Sequence, residues 1–159
     1  MISINLKKFL NYIFIITFIF ILDRVSKLYI LKLAEAGNVN VEINSYLNLI
    51  LVWNAGIGFG LFSFNQPIFY NIITAIIIII NLILLYLIYK STGFKSYFFT
   101  LVLGGSLGNL FDRLYYSAVP DFIDINYMGY HWFIFNVADI FITLGIFCVI
   151  FDEVLNYKK

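Results

Sequence analysis

Four long apolar stretches, separated by more polar segments, dominate the pattern of hydrophobic and polar positions along the chain. They cover approximately residues 9–31, 68–89, 97–114 and 132–151. The second stretch has no charged residue in 22 positions, which at 1.5 Å per residue gives about 33 Å, enough to cross the roughly 30 Å hydrocarbon core of a bilayer. The third stretch reaches this length only with its flanking apolar residues. The pattern predicts an all-α membrane protein with four transmembrane helices.

Two longer polar segments connect these stretches, at approximately residues 33–67 and 114–131. Apolar and polar residues alternate over residues 39–44, and residues 46–53 form another β-rich run. We therefore expect a small hairpin or sheet in the first segment, which would form a small extracytoplasmic β-layer on the membrane surface.

The basic residues predict the orientation of the chain. Six of the ten lie at the N-terminus, between the second and third stretches, and at the C-terminus: Lys7, Lys8, Lys90, Lys95, Lys158 and Lys159. The positive-inside rule then places both termini in the cytoplasm and both longer polar segments outside it. The first stretch has the basic start of a secretory signal peptide but lacks a small-residue cleavage site, so we interpret it as a retained helix.

Composition supports a lipid environment for most of this single domain. Hydrophobic residues make up 62% of its 159 residues, and so small a soluble domain cannot bury that much apolar surface. The net charge of +1 gives no electrostatic footprint for nucleic acid. One cysteine, Cys148, permits no internal disulfide, and one histidine, His131, excludes a multi-histidine centre. These counts exclude a cysteine-rich or multi-histidine metal site, and we expect no cofactor.

Polar residues that are costly inside a bilayer fall at the outer leaflet, although they come from every part of the sequence. Asp23 and Lys27 share a helix face at a spacing of four, Asp121 lies in the outer loop, and Asn54 precedes the second stretch. The end of the third stretch and the start of the fourth contribute Asn109, Asp112, Arg113, Asn136, Asp139 and Thr143. This convergence predicts a functional site at the outer leaflet.

Several of these residues also have a purely structural interpretation. Asp23 and Lys27 could form an interfacial ion pair that fixes helix depth, and the charged end of the third stretch could extend to the headgroups. Gly104 and Gly108 form a small-xxx-small pair that is typical of helix packing. Asp139 is harder to explain in this way, because it lies within an apolar segment with no basic residue near it in sequence.

Two carboxylates without metal ligands around them indicate an aspartyl dyad. When Asp121 and Asp139 share one proton, one can deprotonate water while the other protonates a carbonyl or a leaving amine. The first helical turn around Asp139 also supplies the positive end of a helix dipole, which favours a carboxylate. The residues therefore predict peptide hydrolysis at the outer membrane surface.

Two other functions are compatible with parts of the sequence. Residues 104–108 match the G-x-S-x-G nucleophile pattern, and Ser106 with His131 would give an intramembrane serine protease. That pattern requires a strand-to-helix turn, whereas here it lies within a predicted helix. A proton-coupled carrier could use Asp23 and Asp139 as relay groups, but it would need polar residues through the full depth of the bundle.

Five motifs, in this order, resemble the lipoprotein signal peptidase family, that is, bacterial signal peptidase II. They are Asp23-Arg24-Val25-Ser26-Lys27, the box at residues 54–60 (NAGIGFG), the box at residues 104–113 (GGSLGNLFDR), the box at residues 119–124 (VPDFID), and Phe135-Asn136-Val137-Ala138-Asp139. Two positions depart from the family pattern. Gly58 stands where alanine is usual, and Pro120 precedes Asp121 where valine is common.

The resemblance implies an aspartic endopeptidase of the bacterial inner membrane, with four helices and a small outer β-layer. It implies removal of the signal peptide from prolipoproteins, just before a cysteine that carries diacylglycerol, without metal and with sensitivity to globomycin. By motif match the catalytic residues are Asp121 and Asp139. Asn54, Asn109, Arg113 and Asn136 would line the site, and Asp23, Lys27 and Asp112 would support it. The expected partners are the prolipoprotein and membrane lipid, and the expected state is a monomer.

Overall fold

The computed structural model describes residues 5–37, 40–56 and 67–156, which form four helices and one four-stranded antiparallel sheet. In chain order the elements are α1 (Leu6–Glu35), β1 (Asn40–Asn44), β2 (Leu47–Asn54), α2 (Pro67–Lys90), α3 (Lys95–Tyr116), β3 (Val119–Tyr127), β4 (Tyr130–Phe135) and α4 (Val137–Asn156). The protein is thus mostly helical with a small sheet.

Helix α3 lies at the centre of the bundle and packs against α1, α2 and α4. Its glycines permit this close approach. A Cβ on Gly104 would meet the side chain of Ile19, and a Cβ on Gly108 would lie 2.6 Å from a carboxylate oxygen of Asp23. Both glycines therefore face α1, which confirms the prediction that this pair serves helix packing.

The sheet has the strand order β1-β2-β3-β4, so β3 lies between β2 and β4. The hairpin expected in the first polar segment is present as β1 and β2, although its residues 38 and 39 lie outside the described residues. Strand β3 joins it through pairs such as Asn54 with Val119 and Trp53 with Pro120. Strand β4 pairs with β3 only from Ile123 onward. Pro120 therefore pairs with β2 but has no strand partner on the side of β4, where a missing N–H is tolerated.

The prediction that the fourth helix begins near residue 132 is wrong. Residues Tyr130–Phe135 form β4, and α4 begins at Val137. The cause is that an apolar run of this length fits either element, and the pairing with β3 makes it a strand. Asn136 consequently precedes the helix. Asp121, which was expected in a loop, lies on β3.

Apolar side chains cover much of the outer surface of the helices. Exposed examples are Phe14 at 70% and Leu82 at 61% on different helices. Within the described residues, only the segment Tyr70–Lys90 is long and apolar enough, by length and composition alone, to cross a membrane. The other three helices each contain three or more charged residues.

Candidate active site

A cavity of about 290 Å³ opens where the helices meet the sheet. Its lining residues come from β2, α2, α3, β3 and α4 and include the residue that precedes α4: Asn54, Ile77, Ser106, Asn109, Arg113, Val119, Asp121, Asn136, Asp139, Ile142, Thr143 and Ile146. A second cavity of about 310 Å³, bounded by apolar residues of β3, β4 and α4, shares Asp139 and Thr143 with the first. Asp139 therefore lies between two adjoining cavities.

Asp121 projects from β3 into the first cavity and is only 3% exposed. Its two carboxylate oxygens accept hydrogen bonds from two side-chain amides, from Asn54 Nδ2 at 2.9 Å and from Asn136 Nδ2 at 2.6 Å. Burial and, after it, the charge of Asp139 raise the pKa of Asp121 to about 6, against the opposing effect of the two amide donors. Asp121 therefore retains a proton at a pH where an exposed carboxyl is ionised.

Asp139 lies in the first turn of α4, where Asn136 caps the helix. The Asn136 Oδ1 accepts from the Asp139 N–H at 3.1 Å, and Asp139 Oδ2 accepts from the Asn136 N–H at 3.1 Å. This reciprocal pair is the capping-box arrangement. The other oxygen of Asp139 accepts from Asn109 Nδ2 at 2.8 Å. Asn136 thus contacts both carboxylate residues and connects them.

Lys27 connects the first helix to this site. Its buried ammonium donates three hydrogen bonds, to Asp23 Oδ2 at 2.8 Å, to Asn109 Oδ1 at 2.8 Å and to Asp112 Oδ2 at 2.6 Å. Because Asn109 accepts from Lys27, its amide nitrogen is turned toward Asp139. The network therefore fixes the orientation of a group that contacts Asp139.

Three further contacts strengthen the same network. Asp23 Oδ1 accepts from the N–H of Ala138, in the first turn of α4, at 3.1 Å. Arg24 forms ion pairs with Asp23 at 3.1 Å and with Asp112 at 2.5 Å, so that two cations balance two buried carboxylates. The sequence analysis included Arg24 in the first motif but not among the expected site residues. Its position beside Asp23 in the motif was the signal that could have included it.

Arg113 is 4% exposed and lines the first cavity. One terminal nitrogen donates to the main-chain oxygen of Gly56, while Nε and the other terminal nitrogen have no hydrogen-bond partner among the described residues. The Tyr70 hydroxyl donates to the main-chain oxygen of Arg113 at 2.6 Å, which holds this turn of α3 against α2. Gly58 lies outside the described residues.

The structure does not bring together the residues of the serine-protease alternative. Ser106 lies in the interior of α3 rather than at a strand-to-helix turn, and it lines the first cavity. His131 lines a different, polar cavity on the sheet, and its Nδ1 lies 2.8 Å from Asp124. The carrier alternative also lacks support, because all buried charged side chains of the described residues lie toward the sheet end of the bundle.

The arrangement can support acid–base chemistry on a polypeptide. Two carboxylates from different elements line one cavity, and burial favours a proton on Asp121. No group of three or more His, Cys, Asp or Glu side chains among the described residues could hold a metal ion. Asp139 lines both cavities, so a polypeptide in either cavity can come close to its carboxylate.

Comparisons with known proteins show the family of this chain. The family model described as signal peptidase (SPase) II matches residues 15–155. The chain is 51% identical over 159 residues to a lipoprotein signal peptidase of Pelagibacter ubique (strain HTCC1062), covering 99% of this chain and 96% of that protein. It is 40% identical to the lipoprotein signal peptidase of Anaplasma phagocytophilum (strain HZ), covering 89% and 90% of the two chains.

Solved structures show the same fold. A bacterial membrane enzyme determined by the in meso method at 2.3 Å resolution is 33% identical, with a TM-score of 0.76, covering 92% of this chain and 89% of the other. A second bacterial membrane enzyme, determined at 1.9 Å, is 32% identical with a TM-score of 0.71, covering 89% and 91% of the two chains.

Proposed function

Because the chain belongs to the signal peptidase II family, we propose that it cleaves diacylglyceryl-modified prolipoproteins just before the lipid-modified cysteine, using Asp121 and Asp139. The family gives the coarser activity, removal of signal peptides from lipoproteins by a peptidase of aspartic type. The single observation that carries the finer proposal is that these two carboxylates line one cavity and are connected by Asn136.

The mechanism needs one proton shared by the pair. One carboxylate takes a proton from water, whose oxygen attacks the scissile carbonyl carbon. The other carboxyl gives its proton to the leaving nitrogen as the C–N bond breaks, which yields a new carboxylate on the signal peptide and a free amine on the cysteine. The raised pKa of Asp121 lets the pair keep one proton at a pH where exposed carboxyls are ionised. The step needs no metal and no cofactor.

We assign to Arg113 the binding of an oxygen atom of the substrate. Two of its guanidinium nitrogens have no partner among the described residues, although the side chain is almost fully buried in the cavity wall. Unpaired donors in such a place are costly unless a ligand uses them. A substrate carbonyl or a lipid headgroup oxygen would supply the missing acceptor.

The membrane placement follows from the same arrangement. We assign four membrane-spanning helices, both termini in the cytoplasm, and the sheet and site at the outer leaflet. The distribution of basic residues supports this orientation, as do exposed aromatic residues of the sheet such as Trp53 and Trp132. A diacylglyceryl anchor would then hold the scissile bond at the level of the site and raise its effective concentration. We propose that a monomer suffices, since one chain supplies both carboxylates.

The test is cleavage by the purified full chain of a diacylglyceryl-modified prolipoprotein, beside the same protein without the lipid. The proposal predicts cleavage of the modified form, inhibition by globomycin, and loss of cleavage in Asp121→Asn and Asp139→Asn. The matched control is Asp152→Asn, on α4 at its far end, which should cleave normally. A fully active variant at Asp121 or Asp139, or equal cleavage of the unmodified protein, would refute it.

A further inference from the structure

Two hydroxyl groups in the catalytic cavity have no role in the mechanism above. Ser106 of α3 and Thr143 of α4 both line the cavity, among the apolar side chains of Ile77, Ile142 and Ile146. Ser106 lies three residues before Asn109, and Thr143 lies four residues after Asp139. At 1.5 Å per residue, Ser106 lies about 4.5 Å farther from the sheet than Asn109, and Thr143 lies about 6 Å farther than Asp139.

Neither hydroxyl has a hydrogen-bond partner within the described part of the chain. Other threonines in the bundle behave differently. The Thr74 hydroxyl donates to the Tyr70 carbonyl oxygen at 3.0 Å, and the Thr100 hydroxyl donates to the Ser96 carbonyl oxygen at 2.7 Å. Donation to the preceding turn is the usual way in which a helix satisfies such a group. Ser106 and Thr143 are instead free to donate into the cavity.

A peptide substrate needs such donors at this place. A signal peptide must be extended at the cleaved bond, so its main-chain groups lose their helical partners in apolar surroundings, where an unpaired carbonyl is costly. In an extended chain one residue covers about 3.3 Å, so about 4.5–6 Å corresponds to the second residue before the cleaved bond. Carbonyl oxygens there would lie near the two hydroxyls.

We propose that Ser106 and Thr143 are substrate-positioning residues that donate hydrogen bonds to main-chain carbonyl oxygen of the signal peptide, about two residues before the cleaved bond. This inference rests on the proposed function. It assigns to the pair a role in binding the extended segment, separate from the proton transfer performed by the two aspartates.

Kinetics of two hydroxyl-deleting variants test the assignment. Ser106→Ala and Thr143→Val should each raise KM for a diacylglyceryl-modified peptide by about threefold to tenfold, the effect of one neutral hydrogen bond, with kcat nearly unchanged. Thr100→Val is the matched control, because its hydroxyl already bonds within its own helix, and it should leave KM unchanged. A fall in kcat alone, or unchanged KM in both variants, would overturn the proposal.

Modified substrates identify the acceptor. Peptides are made in which the carbonyl of the second, third or fourth residue before the cysteine belongs to an ester, a weaker acceptor than an amide. For the second residue, the ester should raise KM in the wild type but not in the Ser106→Ala/Thr143→Val double variant. The assignment would be contradicted if, at every ester position, the increase in KM caused by the ester multiplied with the increase caused by the double variant, as for independent effects. If the wild type cleaves none of the parent peptides, the proposed function itself fails instead.

Discussion

At the scale of single residues, the site depends on how the surroundings of two aspartates differ. Asp121 is enclosed by the sheet and receives only side-chain amide donors, from Asn54 and Asn136. Asp139, in the first turn of α4, accepts from the main-chain N–H of Asn136 and from the side-chain amide of Asn109. Burial and the neighbouring charge raise the pKa of Asp121 to about 6, so the pair can keep one proton at a pH where exposed carboxyls are ionised.

The pH dependence of cleavage should report this proton. Since the reaction needs one protonated and one ionised carboxyl, kcat/KM should fall as the pH rises through about 6, where Asp121 loses its proton. Asn54 donates to the ionised form of Asp121 and so lowers its pKa. Asn54→Ala should therefore move the alkaline limb of the profile to higher pH, as measured by kcat/KM across a pH series.

Thr74→Val provides the comparison for that series, because it removes a side-chain hydroxyl that bonds within its own helix. Its profile should match the wild type. The prediction is contradicted if the alkaline limb of the kcat/KM profile stays in place in Asn54→Ala or moves to lower pH. The Asn54 amide would then not act on the group that titrates.

At the scale of elements, the contact of α3 with α4 sets the separation of Asn109 from Asp139. Gly105 makes this contact possible, since a Cβ there would overlap the main-chain oxygen of Ala138, which no side-chain rotation can relieve. Gly145 of α4 permits the same close approach farther along the two helices, because a Cβ there would overlap Val102 and the main-chain oxygen of Phe98. The distance between the helices is therefore fixed by backbone contact rather than by flexible side chains.

Gly105→Ala should push α4 away from α3 and weaken the hydrogen bond of Asn109 to Asp139. We expect a loss of stability of about 1–3 kcal/mol, typical of overpacking, together with a drop in kcat of tenfold or more. Thermal unfolding in detergent and kcat for the lipid-modified substrate are the two measurements. Leu114→Ala, on the exposed side of the same helix, is the control. Wild-type kcat in Gly105→Ala would contradict this role for the contact.

The sequence predicted most elements because their patterns are local. The apolar stretches predicted the four helices. The alternation up to Asn44 and the β-rich run after it predicted the first hairpin. The start of α4 was misplaced because the apolar run of β4 continues into the helix, and only pairing with β3 distinguishes the two. A local signal was nevertheless present. Asn136 and Asp139 have the spacing of a capping box, which marks a helix start at residue 137.

At the scale of the whole molecule, the site is made by contacts between distant parts of the chain. Asn54 reaches Asp121 across 67 positions, and Lys27 reaches Asp112 across 85. The sequence could place these polar residues at one level of the bundle, because depth follows from position along a helix. It could not predict which residue bonds to which, because that depends on how α1 and β2 pack against the remaining elements.

The proposed orientation of the whole chain is open to a labelling test. In a Cys148→Ala background, Tyr130→Cys on the sheet should react with a membrane-impermeant thiol reagent in right-side-out vesicles. Asn156→Cys at the end of α4 should react only in inverted vesicles. Both side chains are exposed, so access is not limited by packing. The reverse pattern, or labelling of both from one side, would rule out the assigned topology.

The most direct test of the central claim is whether the two carboxylates act as one unit. It compares kcat for the lipid-modified substrate in Asp121→Asn, Asp139→Asn and the double variant, with correct folding verified by thermal unfolding. The account predicts that each single change lowers kcat by about 10²–10⁴-fold and that the double variant falls no further, because removing either group already disables the pair. It would be contradicted if either single variant kept more than about a tenth of the activity, or if the two losses multiplied, as they do for groups that act independently.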